Sequence, residues 1–372
     1  GPDGPQAQAL PPCPATPFLT VSPVAFEDIR ELGPLGFLNP PGHTFPGQHM
    51  GFVTERDPAT GGTMTAPVRA PGDIRIAGVV ANHFEFAGNT PGDTLRQTDY
   101  TLVFFACSDV RFYFGHVSAL APTLESAIGT FDDTECNPPY TTGGTTNTQC
   151  SKTVSIDVEA GDLLGSMGGA TQGGMDFGAA DRRATPPPWA NPDRFENFDD
   201  DWGPGHVVCA ADYFVPGIRG VLETMCGGDG RPRTGEPACG EYAQDVPGTA
   251  QGRWYFDDSL LEDRHLALVH HMVDPSLGVF SVGTSIPSAA QGLYVFSPQT
   301  TGRVNLDFPH VTPGSGIHCY EFQPGGVYYS LDQVIFIELT PDETLRIEGR
   351  PGSACGDPSD WAFTPEAVQF QR

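Results

Sequence analysis

Short runs rich in β-branched and aromatic residues, separated by turn-forming residues, follow one another along most of the chain. Residues 74–86 and 98–117 are two such runs, and the sequence Asn-Thr-Pro-Gly-Asp at 89–93 lies between them. This pattern is typical of antiparallel strands joined by a turn. Residues 153–158 predict a further strand. We therefore expect an all-β fold.

Two other segments are less regular. Residues 18–26 predict a strand, and residues 26–32 predict a short helix that ends at Gly33-Pro34. The apolar residues within 260–273 fit a short helix or a buried strand equally well, so this segment is left open.

From about residue 275 onward, short β-like runs recur at nearly even spacing. Turn signals such as Pro341-Asp342-Glu343 separate them. The predicted strands are 278–286, 292–296, 303–308, 327–331, 334–339 and 344–347. This series predicts a second small β domain, a sandwich or a barrel.

The domain organisation follows from these patterns. Residues 1–16 are rich in Pro, Gly and Gln and predict an extended tail. Residues 17–245 form the first predicted domain and 246–372 the second, with the boundary at the Pro/Gly/Gln stretch 246–252. No internal repeat makes the two halves copies of one another.

Charge and composition exclude several classes of function. The 19 Lys and Arg residues against 46 Asp and Glu give a formal charge of −27, which repels nucleic acids and anionic membrane surfaces. The chain contains no apolar run of about 18–20 residues, so no membrane span is expected. The 46 glycines and 37 prolines favour a loop-rich globular protein.

The nine cysteines contain no CxxC pair and no zinc-finger spacing, which favours disulfides and an extracellular location. Loop closure predicts bonds between Cys136 and Cys150 and between Cys226 and Cys239. The other predicted bonds are Cys319 with Cys355 and, as the remaining pair, Cys107 with Cys209. Cys13 is then left over; it bonds a neighbouring molecule, or it is unpaired or differently paired.

Self-assembly is one expectation that follows from the tail. A Pro/Gly-rich segment has no core of its own, so packing on a neighbouring copy would order it. Residues 18–24 could add a strand to a neighbour's sheet edge, with Cys13 as the intermolecular bond. The expected partner is then a second copy of the chain, in an oligomer, fibre or layer.

Three stretches in the first domain share the order and spacing of a known set of motifs. They are His49-Met50-Gly51-Phe52-Val53, Phe112-Tyr113-Phe114-Gly115-His116-Val117-Ser118, and residues 159–168 with Met175-Asp176-Phe177 after them. Together they resemble the lysostaphin-type zinc endopeptidases, a secreted family that cuts peptidoglycan cross-links with a β-sheet domain. The resemblance covers about residues 40–215 and implies a lysostaphin-type β-sheet or barrel-sandwich domain.

The resemblance also implies a damaged zinc site. His49 matches the first ligand and His116 one of the two catalytic histidines, so His116 is a vestigial residue. Val53 stands where the family has an aspartate ligand, Asp176 stands at the closing histidine ligand, and Gly174 stands at the second catalytic histidine. Lost donors lower zinc affinity, so we expect a pseudo-peptidase without a catalytic residue or a cofactor.

Metal binding remains an alternative at several places. His49 and Asp176 are weak candidate ligands for zinc, with His43 or Glu55 in support. Crowded carboxylates at Glu196 and 199–201 could hold calcium, although a solvated loop explains them as well. His265, His270, His271 and Asp274 form another histidine-rich group, for which hydrogen-bonded core residues are the simpler interpretation.

Two functions are therefore weighed. The first is a secreted, non-catalytic structural or binding protein on a degenerate peptidase scaffold, which self-assembles or binds a cell-wall glycan or peptide. The alternative is a zinc metallopeptidase that acts on cell-wall peptides with non-standard ligands. The presence of bound zinc distinguishes them.

Overall fold

The computed structural model of the chain describes residues 10–15, 17–87, 94–142, 145–169, 173–195, 202–259, 261–323 and 332–372. Antiparallel strands dominate these residues, together with two short α-helices and several 3-10 turns. The prediction of an all-β fold is confirmed.

The chain forms two compact units whose segments alternate along the sequence. Unit 1 contains Gly1–Gly33, His49–Ala184 and Asp201–Cys226, and unit 2 contains Pro34–Gln48, Thr185–Asp200 and Gly227–Arg372. The predicted domain limits, 17–245 and 246–372, stay a prediction.

Unit 1 contains a large antiparallel sheet, which we call the main sheet, and a small one. The main sheet has the order β1-β2-β11-β6-β5-β4-β9-β8, with β12 beside β11, and the small sheet has the order β3-β10-β7. The strands are β1 (Glu31–Gly33), β2 (His49–Val53), β3 (Thr63–Arg69), β4 (Ile74–Ala87), β5 (Thr94–Cys107), β6 (Val110–Val117), β7 (Ala119–Leu120), β8 (Tyr140–Thr142), β9 (Thr145–Val158), β10 (Leu163–Gly169), β11 (Met175–Asp181) and β12 (Val207–Val208). The helices are α1 (Pro122–Ile128) and α2 (Pro216–Met225).

One face of the main sheet carries the aromatic core of unit 1. Phe104 on β5, Phe112 and Phe114 on β6, and Phe177 on β11 belong to this face, and all four are fully buried. Their rings pack closely, with centroids 4.9 Å apart for Phe104 and Phe114 and 5.0 Å apart for Phe114 and Phe177. Each buried ring contributes about 1.5–3 kcal/mol, so this face anchors the sheet.

Unit 2 contains two four-stranded sheets, β15-β16-β17-β18 and β19-β20-β21-β22, and a hairpin of β13 and β14. The bounds are β13 (Gly227–Gly228), β14 (Arg231–Pro232), β15 (Gly252–Trp254), β16 (Leu266–His270), β17 (Gly278–Val282), β18 (Gly292–Phe296), β19 (His318–Glu321), β20 (Gln333–Leu339), β21 (Leu345–Pro351) and β22 (Val368–Phe370).

Backbone hydrogen bonds join these two sheets at both edges. Tyr255 and Gln371 exchange a pair of N–H···O bonds, and the amide of Gln323 donates to the carbonyl of Val295 at 3.0 Å. The two sheets share one core, in which Phe280 and Phe296 are fully buried. Unit 2 is therefore a barrel-like structure filled with side chains.

A buried arginine holds peripheral segments of unit 2 together. The guanidinium of Arg253 lies 4.4 Å from the ring of Tyr242, 4.8 Å from Trp189, 5.6 Å from Phe45 and 5.9 Å from Phe195. A desolvated cation over several aromatic faces is strongly attracted to them. Through this arginine, the segments that carry Phe45 and Trp189 are held on β15.

Several predicted elements have different limits in the structure. Residues 98–117 are two strands, β5 and β6, because the chain turns at Ser108-Asp109. The predicted helix over 26–32 is wrong: only Phe26–Asp28 is a 3-10 turn, and Glu31–Gly33 pairs with Gly51–Val53. Residues 303–307 make isolated bridges rather than a strand.

The remaining element predictions are also settled where the residues are described. The segment 260–273, which fits a helix or a strand by its pattern, contains strand β16. The predicted strands 292–296, 334–339 and 344–347 correspond closely to β18, β20 and β21. The predicted strand 327–331 and the turn 89–93 lie outside the described residues.

Two of the predicted disulfides are confirmed, Cys136–Cys150 and Cys319–Cys355. The predicted bond between Cys107 and Cys209 is wrong, because Cys107 bonds Cys13. Eight of the nine cysteines are disulfide-bonded, which is typical of proteins that fold in an oxidising compartment.

The predicted bond between Cys226 and Cys239 is wrong as well. Cys239 is disulfide-bonded, whereas Cys226 is a buried thiol. Cys226 ends α2, where its neighbours hold it inside unit 1. Loop closure therefore identified the pair Cys136–Cys150 and misassigned Cys226–Cys239.

The expectation of an intermolecular bond from Cys13 is wrong, because Cys13 and Cys107 form a disulfide within the chain. The residues that follow Cys13 also make backbone hydrogen bonds within the same chain. The amides of Phe18 and Leu19 donate to the carbonyl of Tyr213 at 3.0 and 2.9 Å, and Val215 donates to Leu19. This segment is therefore hydrogen-bonded within its own unit, and its use as a donor strand for a neighbouring copy stays a prediction.

Candidate functional site

Six polar side chains, one from each of six neighbouring strands, form a row across one face of the main sheet. In strand order, this polar row consists of Gln149, Asn82, Asp99, His116, Asp176 and His49. It lies on the face opposite the aromatic core, because its members alternate along their strands with the core residues.

Strand register aligns the first half of the row. Asn82 on β4 lies directly opposite Asp99 on β5 and Gln149 on β9. The amide of Gln149 donates to Asn82 Oδ1 at 3.1 Å, and Asn82 Nδ2 donates to Asp99 Oδ1 at 2.9 Å. These bonds orient the carboxylate of Asp99, which is 1% exposed.

Asp99 holds the imidazole of His116 in turn. His116 Nδ1 lies 2.7 Å from Asp99 Oδ2, the distance of a charge-assisted hydrogen bond. This bond, together with the charges of Asp176 and Asp99, outweighs desolvation and raises the pKa of His116 to about 9. His116 is therefore an imidazolium at neutral pH, although its side chain is 50% exposed.

A β-bulge places His116 in the row. Gly115 and His116 together lie opposite Thr101, since Phe114 pairs with Leu102 and Val117 pairs with Tyr100. His116 has a φ of 60°, in the left-handed region that few residues other than Gly, Asn, Asp and His adopt. The extra residue returns Val117 to the core and gives His116 a position beside Asp99.

Asp176 lies between the two histidines of the row. Its Oδ1 is 3.3 Å from Nδ1 of His49, and its Oδ2 is 3.6 Å from Nε2 of His116. Nδ1 of His49 also lies 3.2 Å from the carbonyl oxygen of Met50. Both neighbours of this nitrogen are acceptors, so Nδ1 carries a hydrogen and acts as a donor.

Glycines surround Asp176. Gly51 on β2 and Gly115 on β6 lie directly opposite it on either side. A Cβ on Gly115 would lie 2.8 Å from Asp176 Oδ2, whereas a Cβ on Gly51 would have no atom within 4 Å. The carboxylate is therefore crowded on the β6 side and has open space on the β2 side.

The structure brings together the three residues that the motifs singled out, His49, His116 and Asp176, on neighbouring strands β2, β6 and β11. Val53 and Gly174, the other two motif positions, lie near one another at the ends of β2 and β11. A Cβ at Gly174 would lie 2.6 Å from the carbonyl oxygen of Phe52, so no side chain fits there without a backbone shift.

The supporting metal ligands that the sequence offered have other surroundings. His43 belongs to unit 2 and packs its ring edge-on against Phe37, with centroids 4.9 Å apart. Glu55 is exposed, next to β3. Glu196 and residues 199–201, the candidate calcium ligands, lie outside the described residues.

The second histidine group consists of separately hydrogen-bonded residues. Nδ1 of His265 accepts from the amide of Phe256 at 3.2 Å, and burial lowers the pKa of this histidine. His270 Nε2 lies 2.9 Å from Asp307, and His271 Nδ1 accepts from the amides of Val273 and Asp274. Because 266–270 is a strand, His270 and Asp274 do not share a helical face.

Metal-holding geometry is not found in the described ranges. No group of three or more His, Cys, Asp or Glu side chains there is arranged to hold a metal ion. None of the helices in this part of the chain has the length and apolar character that crossing a membrane requires.

Sequence reasoning missed half of the row. Asn82 and Asp99 lie within β-branched and aromatic runs, where the pattern predicts ordinary strand residues, and Gln149 lies in the loop predicted between Cys136 and Cys150. What marks these residues is a polar side chain in a strand whose alternate residues are buried. This mark points to a site only once the strand register shows that Asn82 lies opposite both Asp99 and Gln149. No protein-family model, curated protein or solved structure matches this chain.

Proposed function

We propose that this chain is an extracellular, non-hydrolytic binding protein built on a peptidase-like β scaffold. The observation that carries the proposal is the position of Asp176, whose two oxygens face the imidazoles of His49 and His116 at 3.3 and 3.6 Å. In place of three donors around a metal, the row has a carboxylate paired with two imidazoles.

The surroundings of Asp176 support the proposal that this site does not hydrolyse peptide bonds. Nδ1 of His49 acts as a hydrogen-bond donor, and both nitrogens of His116 face carboxylates. A metal ligand needs an imidazole nitrogen without a proton, so a cation held through His116 or through Nδ1 of His49 would have to displace a proton there. The backbone beside Gly174 also leaves no room for a second catalytic histidine.

A metallopeptidase with non-standard ligands is the second candidate, because two imidazoles and one carboxylate converge. Tetrahedral zinc with bonds of about 2.0–2.1 Å requires donors about 3.3–3.5 Å apart. Taken one at a time, the separations from Asp176 to His49 and His116, 3.3 and 3.6 Å, are close to these values, although the three side chains are not arranged together as a metal-holding group. Metal content therefore decides between the two candidates.

Elemental analysis of the purified native protein is the direct test. We expect less than about 0.1 zinc per chain, and the same value in a His49→Ala/Asp176→Ala control. A Val53→Asp/Asp176→His variant adds donors without placing a side chain at Gly174, and it should bind more zinc than the native protein. Stoichiometric zinc in the native protein, lost in the alanine control, together with cleavage of peptidoglycan, would refute the proposal.

The extracellular location is inferred from the disulfides. Eight disulfide-bonded cysteines in one chain are difficult to maintain in a reducing cytosol. Self-assembly through the N-terminal segment is not part of the proposal, because Cys13 and residues 18–21 make their bonds within the chain.

A further inference from the structure

The carboxylate of Asp176 lies at an open place in the polar row. Its side chain is 22% exposed, although it sits in the middle of the main sheet. The neighbouring residue across the strand pair is Gly51, where even a Cβ would meet nothing within 4 Å. A small group can therefore reach the carboxylate from the β2 side without displacing a side chain.

The charges of the row favour a cation at this place. Asp99 is tightly paired with His116 through a 2.7 Å hydrogen bond. Asp176 has only the longer separations of 3.6 Å to Nε2 of His116 and 3.3 Å to Nδ1 of His49, so its carboxylate is the less tightly paired of the two. The whole chain carries a formal charge of −27, which adds a long-range attraction for cations and a repulsion for anions.

An aromatic ring lies on the same face of the sheet, beside His49, with the ring centroids of Tyr113 and His49 6.1 Å apart. Tyr113 lies on β6, and its ring lies against Gly178, where a Cβ would be only 2.0 Å from it. Gly178 is two residues from Asp176 along β11, so both face the same side of the sheet. A cation held by a carboxylate beside an aromatic ring gains from both.

We infer that the space above Gly51 is a binding site for an organic ammonium group, which donates hydrogen bonds to Asp176 with its apolar substituent toward Tyr113. This inference rests on the proposed non-hydrolytic function, because zinc bound to Asp176 would occupy the same carboxylate. An ammonium group suits the site because it is compact, positively charged and a triple hydrogen-bond donor.

Three phenylethyl probes with different end groups separate charge from apolar contact: phenethylammonium, 2-phenylethanol and 3-phenylpropanoate. Each is titrated into metal-free protein at pH 7, and binding is followed by the amide NMR signals of Gly51 and Gly115. We expect the ammonium probe to bind at least about fivefold more tightly than the alcohol, which corresponds to about 1 kcal/mol. The carboxylate probe should not bind measurably.

Asp176→Asn should abolish the preference for the ammonium probe. Asp157→Asn is the matched control, because it removes the same charge from an exposed pair with Arg75 elsewhere on the main sheet. If Asp176→Asn does not fold, the native spectra still locate the probe. Equal binding of all three probes, no binding, or shifts away from Gly51 and Gly115 would overturn the inference, and the zinc measurement tests the proposed function separately.

Discussion

The pair of Asp99 and His116 gives the most quantitative prediction. Raising the pKa of His116 from its ordinary 6.5 to about 9 corresponds to about 3.4 kcal/mol, at about 1.36 kcal/mol for each pH unit. Because the imidazole is half exposed, water screens the pair, and we expect about 1–2 kcal/mol of folding free energy.

The sign of the pH dependence follows from linkage. The pKa of His116 is higher in the folded state than in the unfolded state, so the folded state binds the proton more tightly. The stabilisation is complete below about pH 6.5 and is lost as the pH rises through about 9. Asp99→Asn should therefore destabilise unit 1 at pH 6 and have a smaller effect at pH 10.

Two measurements check this reasoning. Urea unfolding of the native protein and of Asp99→Asn at pH 6, 8 and 10 gives the difference in stability, with Glu85→Gln as a control from the exposed Arg96–Glu85 pair. NMR titration of the His116 ring gives its pKa directly. An Asp99→Asn effect that is equal at pH 6 and pH 10, or a native His116 that titrates near 6.5, would refute the reasoning.

Three further predictions concern stability. Replacing Cys13 and Cys107 together with alanine should lower the free energy of unfolding by about 3 kcal/mol. The molecular mass, measured by size-exclusion chromatography with light scattering, should not change, and loss of a larger species would support the assembly hypothesis. Arg253→Met should cost about 2 kcal/mol, measured by urea unfolding, because it removes the buried cation from the rings of Tyr242 and Trp189, whereas Asp245 keeps Arg372 at 4.0 Å. A cost below about 0.5 kcal/mol would contradict this role of Arg253. Burial lowers the pKa of His318 to about 4, so the free energy of unfolding should fall as the pH drops from about 6.5 to 4. His318→Gln should make the free energy of unfolding less dependent on pH in this range, and an unchanged pH dependence would contradict the prediction.

The sequence predicted the elements whose identity depends on local pattern. Strand β18 and most of β4, β20 and β21 follow from β-branched runs between turns. The segment around Glu31–Gly33 did not, because its strand state comes from pairing with Gly51–Val53, about 20 residues away. Non-local pairing overrides weak local preference, because a strand forms only where a partner strand pairs with it. The residues after Arg303 make only isolated bridges, so they do not form a strand.

The disulfides also divide into local pairs, which the sequence can predict, and long-range pairs, which it cannot. Cys136 and Cys150 close a short loop, and this spacing predicted the pair correctly, although the similar spacing of Cys226 and Cys239 did not. Cys13 and Cys107 are 94 residues apart and meet because the N-terminal segment packs against the turn after β5, where the amide of Asp109 donates to Cys13. No feature of spacing or composition contains that information.

The candidate site shows how strand register brings the three motif positions together. His49, His116 and Asp176 are adjacent because β11 pairs with β2 on one side and with β6 on the other, and this register is set by backbone bonds and by the aromatic core on the opposite face. The identity of the side chains on the open face does not set this register. A carboxylate placed between two imidazoles by the register must then pair with them or with a cation. The distances to Asp176 are compatible with both, and so the metal content of the native protein, rather than any further comparison of sequence patterns, distinguishes a binding protein from a peptidase.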